Sequence, residues 1–141
     1  MDRYVNANAV FSKFSRDYMQ LKKDLPIRPS EMGVLNIITR REGQFTPLMI
    51  AELLGVSKPM IAAHISVLEE KGYIYKAPSP NDKRSFYVTP TDQAKALVEA
   101  AEAKSHKQLR AMENKLGKDN FDLLLSLLQP AQDILEETGA L

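Results

Sequence analysis

The sequence contains no cysteine among its 141 residues, and this absence excludes several kinds of chemistry. Without cysteine there are no disulfides, no thiol redox switch, no cysteine-ligated zinc and no cysteine nucleophile. A cysteine-free chain fits a reducing compartment, so we expect the protein to act in the cytoplasm. The first 24 residues are charged throughout and have no apolar segment, which predicts that they are not a secretion signal.

Long apolar runs are also missing, because no stretch approaches the roughly 20 residues that cross a bilayer. We therefore predict no membrane span and no membrane partner. The two histidines, His64 and His106, lack the close spacing of zinc ligands, which predicts no bound metal. Metalloprotease, dinucleotide-binding, phosphate-loop and serine-hydrolase motifs are absent from the sequence. The protein is therefore expected to have no catalytic residue and no cofactor, and not to be an enzyme.

A strong charge of either sign is lacking as well, since the formal net charge is +1. Residues 30–92 contain seven Lys and Arg and seven Asp and Glu, so this central region is neutral. Proteins that bind nucleic acid usually carry a basic surface. If this chain binds nucleic acid, its basic groups must be concentrated locally by the fold.

Six segments show the three- and four-residue spacing of apolar side chains that is typical of helices. Thr46 and Ser57 are good helix N-caps, and Gly55 and Gly72 can adopt the left-handed backbone that ends a helix. In the short third helix we expect Ile50, Ala51, Leu53 and Leu54 to face the core. The predicted helices span about 3–24, 30–43, 46–55, 57–72, 89–116 and 118–138.

Strand-forming residues replace the helical pattern at 73–77 and 85–89. The prolines and polar residues between these segments predict a hairpin with a long loop. Thr89, Pro90 and Asp92 have the spacing of a capping box, so the next helix is expected to begin there. The order of short helix, glycine turn, capped helix and hairpin indicates a winged helix-turn-helix. The predicted fold is mainly α with a small β-hairpin wing.

The helix that follows the turn is the one that a helix-turn-helix places in the DNA major groove. Its apolar residues Ile61, Ile65 and Leu68 are expected to point inward, which leaves small and polar residues outside. Serine, lysine and histidine can hydrogen bond to bases or phosphates, and alanine or methionine can contact a thymine methyl group. The predicted DNA-binding residues of this helix are Ser57, Lys58, Pro59, Met60, Ala62, Ala63, His64, Ser66 and Val67.

Three charged residues lie in the predicted hairpin loop. An arginine on such a loop can enter a minor groove, where the negative potential is strong. We therefore add Lys83 and Arg84 to the predicted DNA-binding residues, and Asp82 is expected to hold Arg84 in place. His64 has two possible roles at this point, because it can contact DNA or lie at the edge of the core.

Residues 28–96 resemble the MarR family of bacterial regulators. The stretch IAELLGVSKPMIAAHISVLEEKGYIYKAPSPNDKRSFYVTPTDQAKAL carries the resemblance in the order and spacing of its parts. These parts are the turn AELLGVS, the exit LEEKGYI, the wing tip PNDKRS and the helix entry VTPTDQAKAL. The chain departs from the family at Ala62–Ala63, where Thr-Arg is frequent, at His64, where an aliphatic residue is common, and at Asp92, where glycine is usual.

The resemblance implies a homodimer that binds double-stranded DNA at near-palindromic sites, with repression more common than activation. It also implies regulation by a small ligand, often aromatic, bound between the DNA-binding and dimerisation regions. In the family the wing arginine, here Arg84, enters the minor groove. The flanking helices at both ends look like the family's dimerisation region, but they carry no motif of their own.

These observations predict one MarR-like domain over residues 1–141. The winged helix-turn-helix is expected at 30–92, with the helix-turn-helix at 46–71 and the wing at 73–89, and dimerisation helices at 1–25 and 93–141. The predicted function is a sequence-specific transcriptional regulator, a ligand-responsive repressor with a small aromatic or apolar effector. The alternative is a winged helix that binds protein or RNA without operator specificity, which the weak net charge favours.

Overall fold

The computed structural model describes residues 2–21, 24–81 and 84–139, and within them it contains six helices and a two-stranded antiparallel hairpin. The predicted fold class, mainly α with a β-hairpin wing, is confirmed. The chain divides into two compact units, Met1–Glu99 and Ala100–Leu141. In chain order the elements are α1 (Arg3–Gln20), α2 (Pro29–Arg40), α3 (Pro47–Leu54), α4 (Lys58–Glu70), β1 (Ile74–Pro78), β2 (Phe86–Pro90), α5 (Asp92–Leu116) and α6 (Lys118–Glu137).

The core of the first unit lies where α2, α3, α4 and the hairpin meet. Four large side chains are fully buried there, namely Val34, Leu35, Ile50 and Leu68. Burial of each such side chain contributes about 1.5–3 kcal/mol to stability. At Gly33 an added Cβ would lie 3.3 Å from Cδ2 of Leu54, so this glycine allows α2 and α3 to approach closely.

Both helices of the helix-turn-helix, α3 and α4, have the capping groups that the sequence predicted. Thr46 Oγ1 accepts a hydrogen bond from the N–H of Met49 at 3.3 Å, and Ser57 Oγ accepts one from Met60 at 3.2 Å. Gly55 ends α3 with a φ of +68°, a left-handed conformation that glycine adopts without steric cost. These groups fix the start of α4, which is the predicted recognition helix.

One prediction for α3 is wrong, because Leu53 is 46% exposed instead of facing the core. Ile50 and Ala51 are buried and Leu54 is half-buried, so they form the inward side of this two-turn helix. Leu53 lies about 200° around the helix axis from Ala51, which places it on the opposite side.

The wing is joined directly to α4 and to the segment before α3. Gly72 ends α4 with a φ of +81°, and the N–H of Tyr73 donates to the carbonyl of Leu68 at 2.9 Å. The two strands pair from Ile74 with Pro90 to Pro78 with Phe86, one residue later in each strand than predicted. The N–H of Val88 also donates to the carbonyl of Phe45 at 2.8 Å, which fixes the wing to the core.

The start of α5 differs from the prediction, because Thr89 and Pro90 belong to β2 and Thr91 caps the helix. Pro90 pairs with Ile74, and the N–H of Thr91 donates to the carbonyl of Tyr73 at 3.0 Å, so the extended backbone continues past Pro90. Thr91 Oγ1 then accepts the N–H of Ala94 at 3.3 Å and donates to the carbonyl of Gly72 at 2.8 Å.

This double role makes the Thr91 hydroxyl important for stability. We expect Thr91→Val to lower the free energy of unfolding by about 1–2 kcal/mol, because it removes an N-cap and leaves the Gly72 carbonyl without this donor. Urea unfolding followed by circular dichroism measures the change. Thr138→Val is the control, since that hydroxyl bonds only locally to Leu135 on an exposed helix end. Equal stability of the Thr91→Val protein and the wild type would contradict this role.

The flanking helices expose most of their apolar side chains. In α1, which ends at Gln20 instead of near residue 24 as predicted, no side chain is buried. In α6 only Phe121 is buried. The strongly exposed apolar residues of these helices are Tyr4, Val5, Val10, Phe11 and Phe14 in α1, and Leu123, Leu125, Leu127, Leu128, Ile134 and Leu135 in α6.

No single helix in the described part of the chain is both long and apolar enough to cross a membrane. The pair of α3 and α4 reaches the required length and composition only when both helices are taken together, and it is bent by 114°.

Candidate nucleic-acid interface

Helix α4 divides its side chains between the core and solvent as its sequence predicted. Ile61, Ile65 and Leu68 are buried against the first unit's core, with at most 3% of their surface exposed. Most of the exposed residues of this helix have short or apolar side chains, and the charged exceptions are Lys58 at its start and Glu69 and Glu70 at its end. The exposed predicted DNA-binding residues in this region are Ser57, Lys58, Pro59, Met60, Ala62, Ala63 and Ser66.

The start of α4 combines two features that suit a phosphate group. The helix begins after Ser57, and the first turn of any helix presents backbone N–H groups with a partial positive charge. Lys58 is exposed in that turn, and it adds a full positive charge. Pro59 has no N–H, and the N–H of Met60 is bonded to Ser57 Oγ, so Lys58 carries most of the attraction for a phosphate in this turn. This end of α4 can therefore hold a backbone phosphate of DNA.

Val67 and His64 lie at the border of the exposed side, and both are half-buried. The Nε2 atom of His64 is buried, and none of the described residues gives it a hydrogen-bond partner. His64 thus belongs to the edge of the core more than to the open surface, although its ring is not fully enclosed. Whether it also contacts DNA stays a prediction.

Of the three charged residues predicted in the wing, Arg84 lies in the described part of the chain. Arg84 is exposed in the turn just before β2. Asp82 and Lys83 lie outside the described residues. The hairpin that carries Arg84 is fixed to α4 by an ion pair between Lys76 and Glu69 at 3.7 Å, and Lys76 Nζ also lies 4.8 Å from the centre of the Phe86 ring.

Lys76 is a basic residue that the sequence alone did not assign to the site. It is 45% exposed on β1 next to α4, and its charge is balanced by Glu69. Strand alternation would not have identified it, because Tyr75 and Lys76 are both exposed. Such an exposed ion pair contributes at most about 1 kcal/mol to stability.

The described residues contain no group of three or more His, Asp or Glu side chains arranged to hold a metal ion. What the geometry offers is an exposed helix with small side chains and a basic hairpin beside it. A helix of this width fits the major groove of B-form DNA, and an arginine on the adjacent hairpin can reach a neighbouring groove. None of the individual contacts to DNA is tested by the structure, so the site residues stay predictions.

Comparison with known families supports the same interpretation. Residues 25–85, which contain α2, the helix-turn-helix and most of the wing, match the model of the MarR family. A curated relative, an uncharacterized HTH-type transcriptional regulator named YwaE from Bacillus subtilis, is 32% identical over 89 residues. That match covers 63% of this chain, and the chain spans about half, 52%, of the length of that relative.

Solved structures share the fold over nearly the whole chain. FabT from Streptococcus pneumoniae, solved in complex with DNA, superposes with a TM-score of 0.84 at 16% identity and covers 96% of this chain and 99% of its own. The transcriptional repressor CouR, solved on a 23-mer DNA duplex, has a TM-score of 0.72 at 26% identity, with coverage of 94% and 92%. The resemblance that was predicted from the sequence and the winged-helix fold are both confirmed.

Proposed function

We propose that this chain, whose residues 25–85 match the model of the MarR family, is a transcriptional regulator that binds double-stranded DNA as a homodimer. The observation that carries the proposal is the exposed, small-residue side of α4, held beside a basic wing by capped turns and a buried core. CouR supports it, because a repressor of similar fold and 26% identity has been solved on a DNA duplex. We further propose that the protein is a repressor that acts in the cytoplasm and does not catalyse a reaction.

The homodimer is proposed from the apolar surface of the flanking helices. Leu123, Leu127 and Ile134 are spaced by four and seven residues along α6, and each exposes more than half of its surface. In α1, Val10 and Phe11 are 59% and 68% exposed. Contiguous apolar surface of this kind is unfavourable in water and marks an interface between proteins. A second copy of the chain, with the same helices, is the partner that symmetric oligomers most often use.

A two-fold dimer constrains the DNA site. It presents two copies of α4 related by the same axis, so each copy can read a major groove only if the half-sites are inverted repeats. Their centres are then expected about one helical turn apart, roughly 34–36 Å. Because the exposed side of α4 has few long polar side chains, contacts to phosphates are expected to supply much of the affinity. The expected operator is therefore a near-palindrome in which α4 makes few direct contacts with the bases.

An effector belongs to the proposal as well. We propose a small aromatic or apolar molecule, because this is the class of ligand that the resemblance to the MarR family implies. A chain without cysteine also has no thiol to oxidise. Within the described residues no cluster of metal ligands offers a metal-sensing alternative.

A second function, binding of RNA or protein through the winged helix, is favoured by the net charge of only +1. Selection of bound duplexes from a random double-stranded pool separates the two functions. DNA regulation predicts enrichment of a near-palindrome and a footprint on both half-sites. Failure to enrich any duplex, together with retention of single-stranded RNA, would support the second function instead.

Arg84 provides a sharper test of the wing. We expect Arg84→Ala to weaken binding to the selected duplex by about three- to tenfold, because one charged contact in a groove is lost from each subunit. Fluorescence anisotropy at moderate salt measures the affinity, and light scattering checks that the oligomeric state is unchanged. Arg110→Ala removes the same charge outside the helix-turn-helix and the wing, and it serves as the control. An affinity of the Arg84→Ala protein equal to that of the wild type would remove Arg84 from the site.

A further inference from the structure

The exposed side of α4 is apolar along the middle of the helix. Between residues 59 and 68 the helix contains no lysine, arginine, aspartate or glutamate, so its charged residues are confined to its two ends. Met60 exposes 48% of its surface, and Ala62 and Ala63 are exposed close to it. Ser66 carries the only hydroxyl in this stretch. A DNA groove that receives α4 therefore meets mostly hydrocarbon.

Two of these apolar residues are placed to reach base edges. Ile61, Ile65 and Leu68 mark the buried direction of α4. At 3.6 residues per turn, Ala63 lies about 165° from the centre of that direction and Met60 about 105° from it. Ala63 is thus on the outermost line of the helix, and Met60 is on its flank. Met60 is also the third residue of α4, and recognition helices contact bases mainly with their N-terminal residues.

The chemistry of the bases decides which of them this surface fits. In the major groove, adenine, guanine and cytosine present hydrogen-bonding groups alone, whereas thymine presents a C5-methyl group beside its O4 atom. An alanine or methionine side chain over a guanine or cytosine edge displaces water from polar groups without replacing the lost hydrogen bonds, which is unfavourable. The same side chain over thymine buries a methyl group, which is favourable. The middle of α4 therefore favours thymine and disfavours G·C pairs.

We propose that α4 selects thymine in each half-site through the C5-methyl group, which Met60 and Ala63 cover. This inference rests on the proposed function, and it names the base that the few direct contacts of α4 recognise. In a two-fold dimer the contact is made twice, once in each half-site. Burial of one methyl group strengthens binding by about three- to fourfold, so the two symmetric contacts together strengthen it by about tenfold.

Deoxyuridine tests the methyl group alone, because it pairs with adenine as thymine does and lacks only the C5-methyl. The experiment uses the full chain and the duplex selected from a random pool, with each symmetric pair of thymines replaced by deoxyuridine in turn. Fluorescence anisotropy measures the affinity for each duplex. We expect replacement of at least one pair within the half-sites to weaken binding by about tenfold, and replacement of thymines outside the half-sites to change it less than about twofold.

Two variants connect this loss to the surface of α4. Met60→Gln keeps the length of the side chain and replaces its thioether with a polar amide, and the exposure of Met60 means that the core is not disturbed. In this variant the loss caused by deoxyuridine at the sensitive pair should fall to about threefold or less. Met49→Gln is the matched control, because Met49 is a 41% exposed methionine of α3, outside α4. It should retain the full tenfold loss.

Four results would each overturn the thymine contact and leave DNA regulation standing. They are selected half-sites without thymine, a loss below about twofold at every thymine, an undiminished loss in the Met60→Gln protein, and an equal reduction in the Met49→Gln protein. A preference for A·T pairs that comes only from minor-groove width under the wing gives the second or the third result. If no duplex is selected at all, the proposed function fails and the thymine contact fails with it.

Discussion

Ser66→Glu is expected to weaken binding to a selected duplex by about 100-fold. Ser66 is exposed on the side of α4 opposite Ile61 and Leu68, where it would face the groove. A carboxylate there is brought close to DNA phosphates and base-edge acceptors in both subunits, and juxtaposed like charges cost several kcal/mol. Fluorescence anisotropy with the selected duplex measures the loss.

The fold should survive this change, because glutamate is a good helix former and position 66 contributes nothing to the core. Gln44→Glu adds the same negative charge at an exposed position between α2 and α3, outside α4, the wing and the flanking helices, and it should leave DNA affinity within about twofold. Ser66→Ala should bind nearly as well as the wild type, because the small outer surface is retained. Retained affinity of the folded Ser66→Glu protein would show that α4 does not enter the groove.

The double variant Leu123→Glu and Leu127→Glu is expected to convert the proposed homodimer to a monomer. Leu123 and Leu127 are 56% and 59% exposed in one chain and lie one helical turn apart, so they do not support the subunit's own core. Burial of a leucine contributes about 1.5–3 kcal/mol, and a symmetric dimer contains four of these side chains. The dissociation constant of the dimer should therefore rise at least about 10³-fold.

Light scattering measures this effect directly, with a 15.9 kDa species as the expected result. Duplex binding should fall with it, because one half-site alone holds a monomer weakly. The control variant is Gln129→Glu with Gln132→Glu, which adds the same charge at exposed polar positions of α6 away from this stripe. The dimer interpretation of α6 would be contradicted by a double leucine variant that remains dimeric.

The helix-turn-helix could be predicted from the sequence because its determinants are local. Thr46 and Ser57 cap the helices that follow them, and Gly55 supplies the left-handed turn, so short-range hydrogen bonds and backbone sterics specify these positions. The inward side of α4 could be predicted equally well, because the spacing of Ile61, Ile65 and Leu68 allows only one buried face.

Other features depend on contacts that are distant in sequence. The start of α5 was misplaced because the partner of Pro90 is Ile74 and the partner of the Thr91 hydroxyl is the Gly72 carbonyl, neither of which local capping preferences reveal. The exposure of Leu53 depends on which side of α3 packs against the core, and the sequence does not reveal that side because every residue of α3 except Glu52 is apolar. The cleft between residues 25–31 and residues 63–71 of the chain was not predicted, because its two walls are about 40 positions apart in sequence.

The most direct test of DNA regulation is the salt dependence of affinity for the selected near-palindromic duplex, measured beside a scrambled duplex. If Lys58 and Arg84, with or without Lys83, contact phosphates as proposed, a dimer makes four to six such contacts, so affinity should fall about 10²- to 10³-fold between 50 and 200 mM salt. The selected duplex should also bind at least about 10³-fold more tightly than the scrambled one at the same salt concentration. Affinity that is indifferent to salt and equal for both duplexes would contradict the account.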